Sequence, residues 1–343
     1  MASSKKISDL CAPLVYGEEM SLSPAEVKQF HELGYVVKEG VYSHGDLEPL
    51  RVGLTAAIQE SCDELMAAGK LDRDFAEASF AKRLTKLHRH GPDAAHEVLM
   101  AIWSGRFHGA GMLHALRHPL LIDCVEDIIG PEIVATSIYR VRPKVPGYPR
   151  GEVPWHQDAG YSLTHCYEHM MVTCWVPLVD ATVDNGCLWV IPKVQDDGII
   201  QHYTGGHSGF LEIAPEDVPE GAIPVEMSAG SVLFMTAMTP HASFVNKTDV
   251  TRWSIDLRYQ DPSVPSNLGE VPEDYTPERD PVTMACFPGE AYFVIRDPKR
   301  PESELTDADE FATLRQLWDR ATIQNRGPGR GWTPLEERGD SIH

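Results

Sequence analysis

The chain has 343 residues, 30 basic and 51 acidic side chains, a formal charge of −21 and 42% apolar residues. That composition is globular rather than disordered, and its sign argues against nucleic acid and anionic membrane surfaces as main partners. No apolar run approaches the roughly 18 residues of a spanning helix. No signal-peptide core is visible near Met1, and seven cysteines without a C-x-x-C pair suit reduced thiols in a cytoplasmic protein.

Ser23-Pro24-Ala25-Glu26 reads as an N-cap, a proline at the first helical position and an early acid, which start a helix. Val27, Phe30 and Leu33 follow at helical spacing, Gly34 closes the helix, and Tyr35-Val36-Val37 reads as a short strand. A second helix is expected from His44-Gly45-Asp46 through Leu50, Leu54 and Ile58. Residues 59–118 read as mostly helical. After Pro131 the period changes. Ile133 to Arg142, Met170 to Val176, Cys187 to Ile191, Ser231 to Met235 and Arg252 to Tyr259 are β-like runs separated by Gly and Pro clusters. Helices followed by many short strands predict an α+β chain with a mainly β core, an antiparallel barrel or sandwich. A last helix is expected near Glu310 to Ala321.

Three features carry chemistry. In Pro154-Trp155-His156-Gln157-Asp158, strand geometry sends His156 and Asp158 to the same side, where an imidazole and a carboxylate make a natural metal chelate. A hydrogen-bonded His/Asp pair in a loop is the plainer alternative. His241, in Thr239-Pro240-His241-Ala242-Ser243, would complete two histidines and one carboxylate, a set that favours non-haem Fe(II) with open positions. Zinc could also occupy it. Arg252, eleven residues past His241, starts a run in which Arg252, Ser254, Asp256 and Arg258 share one face. A buried guanidinium needs an anionic partner. Asp256 could provide it, and so could a dicarboxylate cosubstrate held bidentately.

His156-Gln157-Asp158, the downstream His241 and Arg252 together resemble the phytanoyl-CoA dioxygenase family of Fe(II)/2-oxoglutarate oxygenases. Leu22 to Val37 is similar to its N-terminal helix and strand, Asn185 to Pro192 to its N-G-x-L-x-x-x-P segment, and Arg252 to Gln260 to its last core strand. The resemblance covers roughly residues 20–260. It implies a double-stranded β-helix (jelly roll) with flanking N- and C-terminal helices. The expected layout is a single oxygenase domain over 1–343, with a mainly helical flank at 20–130, the core and metal site at 131–260 and an extension at 261–343. It implies iron on His156, Asp158 and His241, with 2-oxoglutarate on the metal and its far carboxylate on Arg252. Ser243 can share that carboxylate, Trp175 and Gln157 often line the cosubstrate pocket, and Arg142 points toward cosubstrate or substrate. O2 is the oxidant, and ascorbate helps as reductant. Because Asp158 is present, hydroxylation is favoured over the halogenation of relatives that lack this carboxylate.

The expected partner is a small organic substrate whose C–H bond is hydroxylated, with release of succinate and CO2. Desaturation, epoxidation or ring closure would use the same residues, and a non-catalytic jelly-roll binding module is the rival from another class. Oligomeric state is not readable. His165 and His169 read as loop residues, His202 and His207 as part of a solvated loop, and Lys82 to His90 as a solvated basic helix face. Trp103, Phe107 and Met112 read as core. Gly205-Gly206 and Gly327 to Gly331 lack the flanks of a phosphate loop.

Overall fold

The computed structural model describes residues 21–103, 109–136, 139–148, 151–162, 166–167, 169–206, 210–264, 292–324 and 332–338. The chain opens with α1 (Pro24–Leu33) and β1 (Tyr35–Lys38). Ser23 caps α1 in a reciprocal box with Glu26, and Gly34 ends it in the left-handed conformation. Five helices follow: α2 (His44–Ala67), α3 (Phe80–His90), α4 (Pro92–Trp103), α5 (Ala110–Leu116) and α6 (Pro119–Ile129). The expected helical stretch therefore continues past residue 118.

The β portion comprises β2 (Ile133–Thr136), β3 (Arg140–Lys144), β4 (Val153–His156), β5 (Met171–Pro177), β6 (Leu188–Val190), β7 (His202–Tyr203), β8 (Glu212–Ile213), β9 (Ile223–Val225), β10 (Val232–Thr236), β11 (His241–Ser243), β12 (Arg252–Gln260) and β13 (Tyr292–Arg296). Helix α7 (Ala308–Gln324) follows. The larger antiparallel sheet runs β1-β10-β5-β12-β2-β13, and β3 also pairs with β12. The smaller runs β4-β11-β6-β9. The fold is the expected α+β jelly roll. The single β-like run at 133–142 is in fact two strands. Strand β2 pairs with the C-terminal end of β12 and β3 with its N-terminal half.

Strand β12 shows how the sequence pattern builds the core. All nine of its residues are buried, but on two different faces. Trp253, Ile255, Leu257 and Tyr259 join the main apolar cluster, which also takes in the helices through residues such as Leu54, Val98 and Leu121. Arg252, Asp256 and Arg258 line a cavity on the other side. Strand β5 alternates likewise, with Val172, Cys174 and Val176 in the apolar cluster and Thr173 and Trp175 on the cavity. The helices thus cover one face of the larger sheet and free the opposite face for polar side chains. The five described cysteines are free. Among the described residues, no helix is long and apolar enough to cross a membrane.

Candidate active site

The two sheets enclose a cavity of about 670 Å³, within the range of small-molecule sites. Strand β4 brings His156 to it, the single turn 158–161 brings Asp158, and β11 brings His241. Register does the assembly: β4 and β11 pair so that His156 lies directly opposite His241. Their ring centroids are 4.2 Å apart. One potential ligand atom from each of His156, Asp158 and His241 lies within 4.8 Å of the others, and all three residues are buried.

The imidazoles are held in the same way. His156 Nδ1 lies 2.9 Å from the Pro154 carbonyl and His241 Nδ1 3.0 Å from the Thr239 carbonyl. A carbonyl only accepts, so each Nδ1 donates, which leaves each Nε2 as the ring nitrogen available to a metal. Burial, with His241 alongside, pushes His156 well below its ordinary value, which keeps it neutral and ligand-ready. Asp158 is set by opposing effects. Burial, the largest single effect, would raise it, but Arg258 and the two histidines together outweigh it and hold the carboxyl well below the usual carboxylate range. Arg258 donates to Oδ1 at 2.8 Å and to Oδ2 at 3.2 Å, and the Thr173 hydroxyl donates to Oδ2 at 2.7 Å. The donor set, two imidazoles and one carboxylate held ionised by Arg258, all buried on one cavity, fits a divalent iron ion.

Arg252 is 2% exposed and faces the same cavity. Its guanidinium donates to the Gly186 carbonyl, the Ser254 hydroxyl and the Ser243 hydroxyl at 3.2, 2.5 and 3.1 Å. The Trp175 ring lies 5.2 Å from its central carbon. No carboxylate pairs with it among the described residues. Asp256, the protein partner considered from the sequence, instead pairs with Arg142 at 3.0 Å. Beside it, Lys144 donates to the carbonyls of Gly151, Ser243 and Phe244. Burial, reinforced by Arg252, pushes that ammonium down to about 6. The pocket is a cationic recess inside a strongly acidic protein, which suits a bound dianion.

Ser243, Trp175 and Arg142 also line the cavity. Gln157 does not. Lying between two cavity-facing residues, it turns to the other side, where its amide donates to the carbonyls of Gly198 and Met238 and accepts from the Ile200 amide. Its placement is that of a loop tie, not a pocket wall.

His202 corrects the expectation of a solvated loop. It is fully buried, its Nδ1 donates to the Ile200 carbonyl and its Nε2 accepts from the Gln157 amide at 2.9 Å. Burial pushes it down to about 4. It braces the turn carrying Asp158, and a Cβ on Gly160 would come within 2.8 Å of its Nε2. Trp332 adds a second brace by donating to the Gly160 carbonyl at 2.7 Å. Within Lys82 to His90, Arg83, Leu84, Thr85 and Leu87 are buried, so only part of that helix is solvated. Met112 is core, and Trp103 reaches both core and cavity. His169 is exposed. His165, His207, Phe107 and Gly327 to Gly331 lie outside the described residues.

Residues 30–254 match the phytanoyl-CoA dioxygenase (PhyH) family. The chain belongs to that family. A phytanoyl-CoA dioxygenase of Arabidopsis thaliana is 27% identical over 267 residues, 69% of this chain and 88% of the relative. A methylphosphonate hydroxylase of Gimesia maris is 30% identical over 156 residues, 45% of this chain and 55% of the relative. Among solved structures, the apo form of the non-haem monooxygenase ThoJ superposes with a TM-score of 0.51 at 21% identity, covering 88% of this chain and 99% of that one, which agrees with the fold. Membership makes this PhyH chain an enzyme of the Fe(II)/2-oxoglutarate oxygenase type, and the His156, Asp158 and His241 cluster is a chemically suitable place for its metal.

Proposed function

We propose that this PhyH protein hydroxylates an unactivated C–H bond of a small organic substrate, using O2 and 2-oxoglutarate and releasing succinate and CO2. The observation that carries the reading is Arg252: a buried guanidinium without a carboxylate partner among the described residues, in the same cavity as a His-Asp-His cluster. His156, Asp158 and His241 would hold iron. Arg252 and Ser243 would take the far carboxylate of 2-oxoglutarate, with Trp175 beside them. When bound, the metal and cosubstrate supply the oxidising power.

The chain's own residues do the positioning. The Pro154 and Thr239 carbonyls fix the imidazole tautomers, while Arg258 and Thr173 keep Asp158 ionised and oriented. Trp175, Leu188 and Met235 supply apolar walls. A relative named for hydroxylation supports that outcome. The name phytanoyl-CoA does not carry over as substrate, because fold and metal site define reaction type while the cavity walls define the molecule bound.

The test is O2-dependent succinate formation from 2-oxoglutarate with Fe(II) and ascorbate. We expect slow turnover without substrate, abolished by His156→Ala and shifted to higher 2-oxoglutarate concentration by Arg252→Ala. Succinate formation untouched by His156→Ala, or failure of the metal-loaded protein to bind 2-oxoglutarate, would reject the proposal. Product analysis with an added substrate then separates hydroxylation from desaturation or cyclisation.

A further inference from the structure

The cavity holds a polar pair, Asp256 and Arg142, that the proposed metal and cosubstrate contacts do not use. Asp256 lies on the cavity face of β12, between Ser254 and Arg258. Its Oδ2 accepts from Arg142 Nε at 3.0 Å. Its Oδ1 is buried and has no hydrogen-bond donor. A buried carboxylate oxygen without a donor is costly and calls for a partner. The neighbours on the strand are otherwise engaged: Ser254 accepts from Arg252, and Arg258 is bound to Asp158. Nor can 2-oxoglutarate supply what is missing, because the dianion offers only acceptors. Arg142 mirrors the situation: its Nε donates to Asp256, and the Phe210 ring lies 5.7 Å from its central carbon. Its terminal N–H groups make no hydrogen bond to the described residues.

We infer that Asp256 and Arg142 form the substrate-recognition point of the cavity, and that the substrate presents a hydroxyl or amino donor to Asp256 Oδ1 beside an acceptor for Arg142. The inference rests on the 2-oxoglutarate reading of this cavity. The pair is electrically balanced, so it selects a donor and an acceptor side by side and does not select net charge. Hydroxy acids, amino acids and sugars share that pattern. A plain acyl chain has no donor and would leave Asp256 Oδ1 unsatisfied on burial. Arg142 also orients Asp256 through the bond to Oδ2 and leaves Oδ1 as the oxygen that waits for the donor.

The experiment uses the full chain loaded with Mn(II), which is redox-silent here, and saturated with 2-oxoglutarate in the absence of O2. Calorimetric titration measures binding of L-amino acids, the matching hydroxy acids, methyl glycosides, and the matching unsubstituted carboxylic acids as donor-free controls. One donor-bearing class should bind about tenfold or more tighter than its donor-free match, as expected for a hydrogen bond to a charged group. Which class does so distinguishes the sources. Asp256→Asn should shrink that preference, and Arg142→Lys, which keeps the charge but loses the planar edge, should weaken the preferred class.

Donor-free acids that bind as tightly as their partners, or a preference that survives both variants, would overturn the inference. Loss of 2-oxoglutarate binding in Asp256→Asn would also overturn it, by placing the residue in the cosubstrate site. The same holds if no class binds while 2-oxoglutarate does. If the parent protein itself fails to bind 2-oxoglutarate, the proposed function falls instead. Melting curves accompany each variant, and Arg142→Lys keeps the question answerable should Asp256→Asn not fold.

Discussion

Replacing Arg252 by methionine should separate stability from function, with opposite signs. Burial pushes the guanidinium well below its ordinary value, down to about 10, only partly opposed by Asp256. A base whose folded value lies below its unfolded value weakens the fold wherever it stays charged. The penalty is therefore present in full at neutral pH and lifts only as pH rises above about 10 toward the ordinary guanidinium range. At about 1.4 kcal/mol per pH unit, it is on the order of 3 kcal/mol. Methionine removes the charge at similar length. Three hydrogen bonds go with it, but Ser243 Oγ also donates to the Gly186 carbonyl at 2.9 Å, so that acceptor keeps a donor. The two serine hydroxyls lose a donor each, about 1–2 kcal/mol together.

The ligand-free Arg252→Met protein should therefore be as stable as the parent or more stable by about 1–2 kcal/mol. Replacing buried ions by apolar residues often has that result. Scanning calorimetry would read it as a melting temperature unchanged or raised by about 1–3 °C. The cosubstrate should respond the other way. A desolvated carboxylate without its guanidinium costs on the order of 3–5 kcal/mol, so KM for 2-oxoglutarate in succinate formation should rise about 10²- to 10⁴-fold, with a smaller change in kcat. A ligand-free variant that melts well below the parent, or one with the parent's KM, would refute the view of Arg252 as a cation held for an absent anion.

Arg258 should behave oppositely, because it already has its anion: metal-free Arg258→Met should lose about 3–5 kcal/mol by stranding Asp158, and an unchanged melting temperature would count against this. His202 predicts an acid limb. The fold keeps it neutral down to about 4 while the unfolded chain protonates near 6.5, so stability should fall as pH drops from 6.5 to 4, by on the order of 3 kcal/mol from this residue. His202→Gln should flatten that slope, and urea midpoints across pH would show whether it does. Gly186 has φ of +84°, and a Cβ there would sit 2.6 Å from the Phe244 carbonyl oxygen. Gly186→Ala should cost at least about 1–3 kcal/mol and weaken 2-oxoglutarate binding through the carbonyl that Arg252 uses, which calorimetry and succinate kinetics can follow together.

Much of the fold was legible because periodicity survives folding. Period-2 spacing in Arg252 to Tyr259 separated a polar face from an apolar one, and Ser23 with Glu26 marked a helix start. Spacing along β4 also placed His156 and Asp158 toward one side, although Asp158 lies in the turn just beyond the strand. What stayed hidden depends on contacts between distant segments. Nothing local to Arg258 says that it will meet Asp158, 100 residues earlier. His202 looks like a loop histidine until the Gln157 amide is seen to donate to it. Trp332 braces Gly160 from beyond the matched residues. The break between β2 and β3 was missed because both halves have strand-like composition, and only their different registers on β12 separate them.

The arrangement on β12 explains why one strand can carry so much of the site. Covering its apolar face with helices fixes the backbone against a packed core, so side chains on the opposite face start from set positions. Arg252, Asp256 and Arg258 then meet three different fates across that face: no carboxylate, a shared guanidinium, and a fully engaged ion pair. If all three served stability alone, each would be expected to carry a complete set of partners, as Arg258 and Asp158 do. The unmatched cation at Arg252 and the unmatched oxygen at Asp256 instead have opposite needs, an acceptor for one and a donor for the other. A dicarboxylate meets the first and cannot meet the second. On the proposed reading, two molecules of different polarity, a cosubstrate and a substrate, would meet those two needs in one cavity.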